Sequence, residues 1–95
     1  MLFSIFAYDV EDSLPLRQQA RPAHVARLEE LYTQGRLMLA GPNPNLNSEG
    51  FSGSLIVAEF DSFEEASKWA ETDPYMLEGV YDYVDVKPFK LVFPK

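Results

Sequence analysis

Gly53-Ser54-Leu55-Ile56-Val57-Ala58-Glu59-Phe60-Asp61-Ser62-Phe63-Glu64-Glu65-Ala66 changes its hydrophobic period part-way along. Up to Phe60 the pattern is that of a strand, with Leu55, Val57 and Glu59 on one face and Ile56, Ala58 and Phe60 on the other. Asp61-Ser62 then supplies helix-capping side chains, and Glu64 and Glu65 fall in a first turn where the helix dipole favours acids. Phe63, Ala66 and Ala70 form the apolar stripe that follows, with Trp69 beside it. The stretch therefore predicts a strand running straight into a helix. Asp73-Pro74 ends that helix and starts a one-turn helix reaching Gly79.

Working outward, Leu2 to Tyr8 reads as a first strand. Phe3, Ile5 and Ala7 share one face, and Leu2, Phe6 and Tyr8 the other. Both faces are largely apolar, so both need cover. Ser13 is placed to cap a short helix running through Arg17 to Gln19. Pro22 should break or kink it and start a second helix, in which Val25, Leu28 and Tyr32 recur at helical spacing. Gly35 is a suitable stop. A short strand follows over 36–40, then a long loop opening on Gly41-Pro42-Asn43-Pro44-Asn45 and continuing to Gly50. Downstream, residues 80–86 read as a fourth strand. Lys87-Pro88 should interrupt it before Phe89, Leu91 and Phe93 alternate to the end.

The order β-α-β-β-α-β is the ferredoxin-like split βαβ pattern, a four-stranded antiparallel sheet with helices on one face. That arrangement leaves the second sheet face uncovered. A second copy of the chain is the economical cover, so a homodimer with its sheets packed face to face is expected.

The 95 residues are expected to form one domain, residues 1–95. A formal charge of −7, from 15 acids and 8 bases, argues against nucleic acid and anionic membrane surfaces as partners. No apolar run approaches the ~18 residues of a membrane helix. The beginning of the chain lacks a basic segment and reads as a strand rather than a signal peptide. A cytoplasmic location is the expectation. The absence of cysteine removes disulfides and thiolate chemistry.

His24 is the only histidine, so near-neutral proton chemistry must pass through one imidazole. It shares a helical stripe with Leu28 and Leu31, which turns the ring inward. Arg21 lies one turn earlier, placed to hold an anion, and Arg17 extends the row if Pro22 only kinks the chain. A base at a pocket edge and a half-buried structural ring both fit this pattern. Asp73 has a structural role as N-cap before Pro74. It is also the best candidate to orient the imidazole, with one oxygen capping and the other meeting the ring. Tyr75 is a candidate pocket wall. Spacing alone does not say whether the ends carrying His24 and Asp73 meet. No metal is expected, because one histidine and scattered carboxylates match no ligand set. Nor is a cofactor expected, since Gly50-Phe51-Ser52-Gly53 opens no phosphate-binding helix.

Arg21-x-x-His24, Gly35-Arg36-Leu37, Ala40-Gly41-Pro42, Gly50-Phe51-x-Gly53, Asp73-Pro74-Tyr75 and Val86-Lys87-Pro88-Phe89 occur in that order. Together they resemble the YciI-like (YCII-related) family of small bacterial proteins over nearly the whole chain. The resemblance implies a ferredoxin-like fold dimerising as an α+β barrel, similar to muconolactone isomerase. It also implies a His–Asp active site, which falls on His24 and Asp73. Arg21, Gly41, Pro74 and Tyr75 match family-typical positions. One branch of the family resembles a dehydrochlorinase acting on a chlorinated hydroxyhydroquinone.

These readings converge on a cofactor-independent enzyme acting on a small, anionic or aromatic organic molecule by elimination, tautomerisation or hydrolysis. His24 and Asp73 would carry the chemistry, and Arg21 and Tyr75 would bind substrate. The alternative is a metabolite-binding module that uses the same pocket without turnover.

Overall fold

A computed structural model describes residues 1–95. The elements run β1 (Leu2–Asp9), α1 (Leu14–Thr33), β2 (Leu37–Pro44), β3 (Phe51–Glu59), α2 (Phe63–Glu71), α3 (Pro74–Leu77) and β4 (Tyr81–Phe89). They form one sheet in the order β2-β3-β1-β4, and each pairing is antiparallel. This is the expected split βαβ topology, with β1 and β3 central and β2 and β4 at the edges.

The two-residue period of the strands fixes which side chains meet the helices. Phe3 and Ile5 of β1 join Ile56 and Ala58 of β3 and Leu31 of α1 in the main core, together with Phe60, Ala66 and Ala70. A smaller cluster of Ala7, Ala20, Tyr75, Val80 and Tyr81 closes the end of the sheet where α3 sits. Gly53 lies across from Tyr8, and a Cβ there would collide with the Ala7 carbonyl oxygen. Any side chain would push β1 and β3 apart.

Four local expectations change. First, α1 is one helix of 20 residues passing through Pro22, not two. Proline removes a single N–H bond. Pro22 and Gln18 both lie on the exposed side, so the carbonyl that this releases is open to water. Second, Ser13 does not cap α1; its hydroxyl donates instead to Asp9 Oδ2 at 2.5 Å. Third, β2 continues to Pro44, so the connection to β3 is only residues 45–50. Pro42 and Pro44 are tolerated because β2 is an edge strand with one unpaired side. Fourth, β4 continues through Lys87 and Pro88 to Phe89 for the same reason, whereas residues 90–95 form no strand.

The sheet face opposite the helices carries Leu2, Phe6 and Tyr8 of β1, Leu55 and Val57 of β3, Leu39 of β2, and Tyr83 and Phe89 of β4. Tyr8 and Tyr83 stack there with ring centroids 4.6 Å apart. Leu39, Tyr83 and Phe89 are exposed. No helix is long and apolar enough to cross a membrane.

Candidate functional site

The continuous α1 aligns Arg17, Ala20, His24 and Leu31 as its buried stripe. Arg17 and His24 are seven residues apart, two helical turns, and so point the same way. Between this stripe and the β2–β3 edge is a cavity of about 230 Å³. Leu14, Arg17, Arg21, His24, Val25 and Leu28 line it from α1. Ala40, Gly41 and Pro42 line it from β2, Phe51, Ser54 and Ile56 from β3, and Tyr75 from α3. Its volume is below the ~300–1,000 Å³ of drug-sized sites, so it suits a small metabolite.

His24 and Asp73, 49 positions apart, meet at the edge of this cavity. His24 Nδ1 bonds Asp73 Oδ1 at 2.8 Å, and both side chains are buried. The same oxygen accepts the Tyr75 backbone N–H at 2.8 Å, so one oxygen caps α3 and orients the ring. The expected division between two oxygens does not occur. A carboxylate accepting from Nδ1–H fixes the neutral ring in one tautomer and leaves the Nε2 lone pair free. Nε2 makes no protein hydrogen bond and is not sealed from solvent. His24 lines the cavity while Asp73 stands behind it. Tyr75 stacks on the imidazole with centroids 3.8 Å apart and planes 7° apart, which holds the ring's orientation. Arg21 is exposed at the cavity wall and makes no ion pair.

Sequence reasoning missed the role of Arg17. Its Nε donates to Asp9 Oδ2 at 2.6 Å and its Nη2 to Asp9 Oδ1 at 2.9 Å. The same Nη2 lies 2.9 Å from both the Gly53 carbonyl and the Ser54 hydroxyl. Both partners of the ion pair are almost wholly buried. Burial opposes the Arg17 charge, but Asp9 more than offsets it and holds the guanidinium pKa above its usual value. Its charge is thus already matched, and Arg21 is the cation left for a ligand. The signal was an acid at the end of a strand with an arginine eight residues on.

A bulge completes this corner. Pairing between β1 and β4 shifts after Tyr8, so Tyr81, not Asp82, stands across from Asp9. Tyr81 is buried, and its hydroxyl faces Ser54 without a well-aligned hydrogen bond, since the Ser54 hydroxyl already accepts from Arg17. Burial raises the phenol pKa of both Tyr81 and Tyr75; Arg17 works against the rise in each. An acid whose folded pKa lies above its unfolded value contributes stability that is intact below the unfolded pKa, near ~10, and lost as pH rises through the folded one. Stability should therefore fall above about pH 10. Tyr81→Phe removes the unpaired hydroxyl. It should leave neutral-pH stability unchanged or higher by about 1 kcal/mol, and should flatten the alkaline loss. Denaturant melts at neutral pH and above pH 10 check both parts; a variant destabilised by a lost hydrogen bond contradicts them.

Residues 1–90 match the YCII-related domain family. The chain belongs to this family. Its relatives include "Protein YciI" of Escherichia coli, 52% identical over 98 aligned positions that span 98% of this chain and all of that protein. An uncharacterised Haemophilus influenzae protein is 45% identical over the same shares. Among solved structures, 5-chloro-2-hydroxyhydroquinone dehydrochlorinase (TftG) of Burkholderia phenoliruptrix, in complex with 2,5-dihydroxybenzoquinone, superposes with a TM-score of 0.83 at 29% identity. The match covers 95% of this chain and 94% of that one. The YCII-related fold is therefore shared with a small-molecule enzyme.

Proposed function

We propose that the cavity beside His24 is the active site of a cofactor-independent acid–base enzyme. The observation that carries this reading is the buried His24–Asp73 contact with the second ring nitrogen left open beside a hollow. Nε2 would take a proton from, or return it to, a carbon next to a carbonyl or enol. Asp73 would stabilise the imidazolium that forms, and Tyr75 would keep the ring in plane. Arg21 would attract a carboxylate, phenolate or enolate substrate. The likeness to a dehydrochlorinase with a dihydroxyquinone ligand supports a small planar molecule.

The test is a panel of enolisable carboxylates and hydroxylated quinones followed by NMR for binding and product. Turnover by the wild type and none by His24→Ala supports the enzyme. Saturable binding of panel compounds without product would favour the binding module.

The homodimer belongs to the same proposal. The helix-free sheet face holds an apolar set running from Leu39 through Leu55 to Phe6, flanked on β4 by the Asp85–Lys87 pair, a pattern that suits an apolar interface with a charged rim. Leu55→Asp should convert a dimer to a monomer in sedimentation while preserving the circular dichroism spectrum, because Leu55 is only partly buried within one chain. A wild-type monomer at micromolar concentration would contradict it.

A further inference from the structure

Asp73 has a second oxygen, and the polar group facing it opens onto a different surface. Asp73 Oδ2 is buried without a hydrogen bond, 3.7 Å from Arg27 Nη1, which is also sealed and unbonded. These are complementary groups held just short of contact. Arg27 does not belong to the cavity beside His24. It lines a separate open cleft of about 310 Å³ with Arg36, Lys68, Trp69 and Thr72. Three of the chain's eight bases meet there, against one acid, Glu65, in a protein of net charge −7.

The details narrow what such a cleft would hold. The Arg27 guanidinium lies over the Trp69 ring at 4.5 Å, and that of Arg36 over Phe60 at 5.3 Å. One face of each ring is thus taken by a cation, which leaves less room for a planar base to stack. Guanidinium groups held over rings can still present N–H donors at their edges, and such donors suit oxyanions. Arg36 spends Nε on the Glu59 carbonyl and Nη1 on Gln34. Arg27 makes one long bond, 3.3 Å, to Thr72 Oγ1. Lys68 makes no ion pair within 4 Å. Donors therefore remain on Arg27 and Lys68.

We propose that this cleft binds a small oxyanion of the phosphate or phosphomonoester class, and that Arg27 transmits its occupancy to the His24–Asp73 pair. An anion bound to Arg27 competes with Asp73 Oδ2 for the same cation. Asp73 then presents a different field to the imidazole it holds through Oδ1. By linkage, a change at His24 must in turn alter anion affinity. The binding claim stands apart from the catalytic reading; only an effect on turnover rests on it.

The test uses the intact, isotopically labelled chain. It is titrated with inorganic phosphate, and separately with glycerol phosphate, at ionic strength matched by chloride. The Arg27 and Lys68 side-chain resonances and the His24 ring nitrogens should move and saturate with a common midpoint. Tighter binding of one anion identifies the free or the esterified source. Lys68→Ala should weaken binding about fivefold, the loss of one exposed charge contact, without moving His24 in anion-free protein. Arg27→Lys should keep binding but lose the His24 response. Absence of saturation with either anion, equal effects of chloride, or unchanged affinity in Lys68→Ala would overturn the site. Saturable binding with His24 unmoved would overturn the coupling, whatever the fate of the enzyme reading.

Discussion

Asp9→Asn is expected to destabilise the fold by about 3–5 kcal/mol, the cost of leaving a buried charge without its partner. The two side chains of the Asp9–Arg17 pair are 1% and 6% exposed, so water does not replace the lost contact. Ser13 also donates to the Asp9 carboxylate and would lose its charged acceptor. A domain of this size has a total stability of roughly 5–15 kcal/mol, so one substitution removes a large part of it. The readout is a fall in Tm of at least about 12 °C. A double variant, Asp9→Asn with Arg17→Met, separates charge from shape. It should recover part of the loss, since removing both charges is tolerated better than removing one. Recovery should be incomplete because the Gly53 carbonyl and Ser54 hydroxyl also accept from Arg17. An unchanged Tm in the single variant would contradict the ion pair as a structural element.

The second large effect is on chemistry. If His24 is the acid–base group, His24→Ala should lower kcat by about 10²–10⁴-fold. Asp73→Asn should lower it as well, because a neutral amide does not stabilise the imidazolium even where its oxygen still accepts from Nδ1–H. Asparagine is a better probe than alanine here. Asp73 caps α3 through the Tyr75 N–H, and asparagine retains a capping oxygen. Alanine would leave the start of α3 uncapped and confuse a folding loss with a chemical one. Residues acting as a unit give non-additive losses, so the double variant should be no slower than His24→Ala alone. KM should change less than kcat, since Arg21 and the apolar walls remain. Wild-type turnover in His24→Ala would remove the imidazole from the mechanism, and additive losses would break the pair.

The strand faces of β1 and β3, the capped start of α2 at Ser62 and the cap at Asp73 were legible because each depends on residues within one or two turns. The three departures in element boundaries share one cause, whereas the unused Ser13 cap reflects the pull of the Asp9 carboxylate. Prolines at 22, 42, 44 and 88 suggest interruptions when only the local sequence is considered, yet a missing N–H matters only where that donor is needed. Pro22 faces solvent and the others lie on edge strands, so regular structure runs through all four. The unbroken α1 does turn Arg17 to the same side as His24, whereas its pairing with Asp9 depends on the turn between β1 and α1.

What the sequence determined by itself was the order of elements, the apolar faces and the residue types able to move a proton near neutral pH. These follow from the fixed periods of helix and strand and from side-chain chemistry. Tertiary structure alone decided that His24 reaches Asp73, that Tyr75 lies against the ring and that Asp9 takes Arg17 out of contention as a free cation. Those contacts join positions from 8 to 51 residues apart and depend on how α1, α3 and the sheet pack. The geometry of packing is set by the whole core, and no local pattern encodes it.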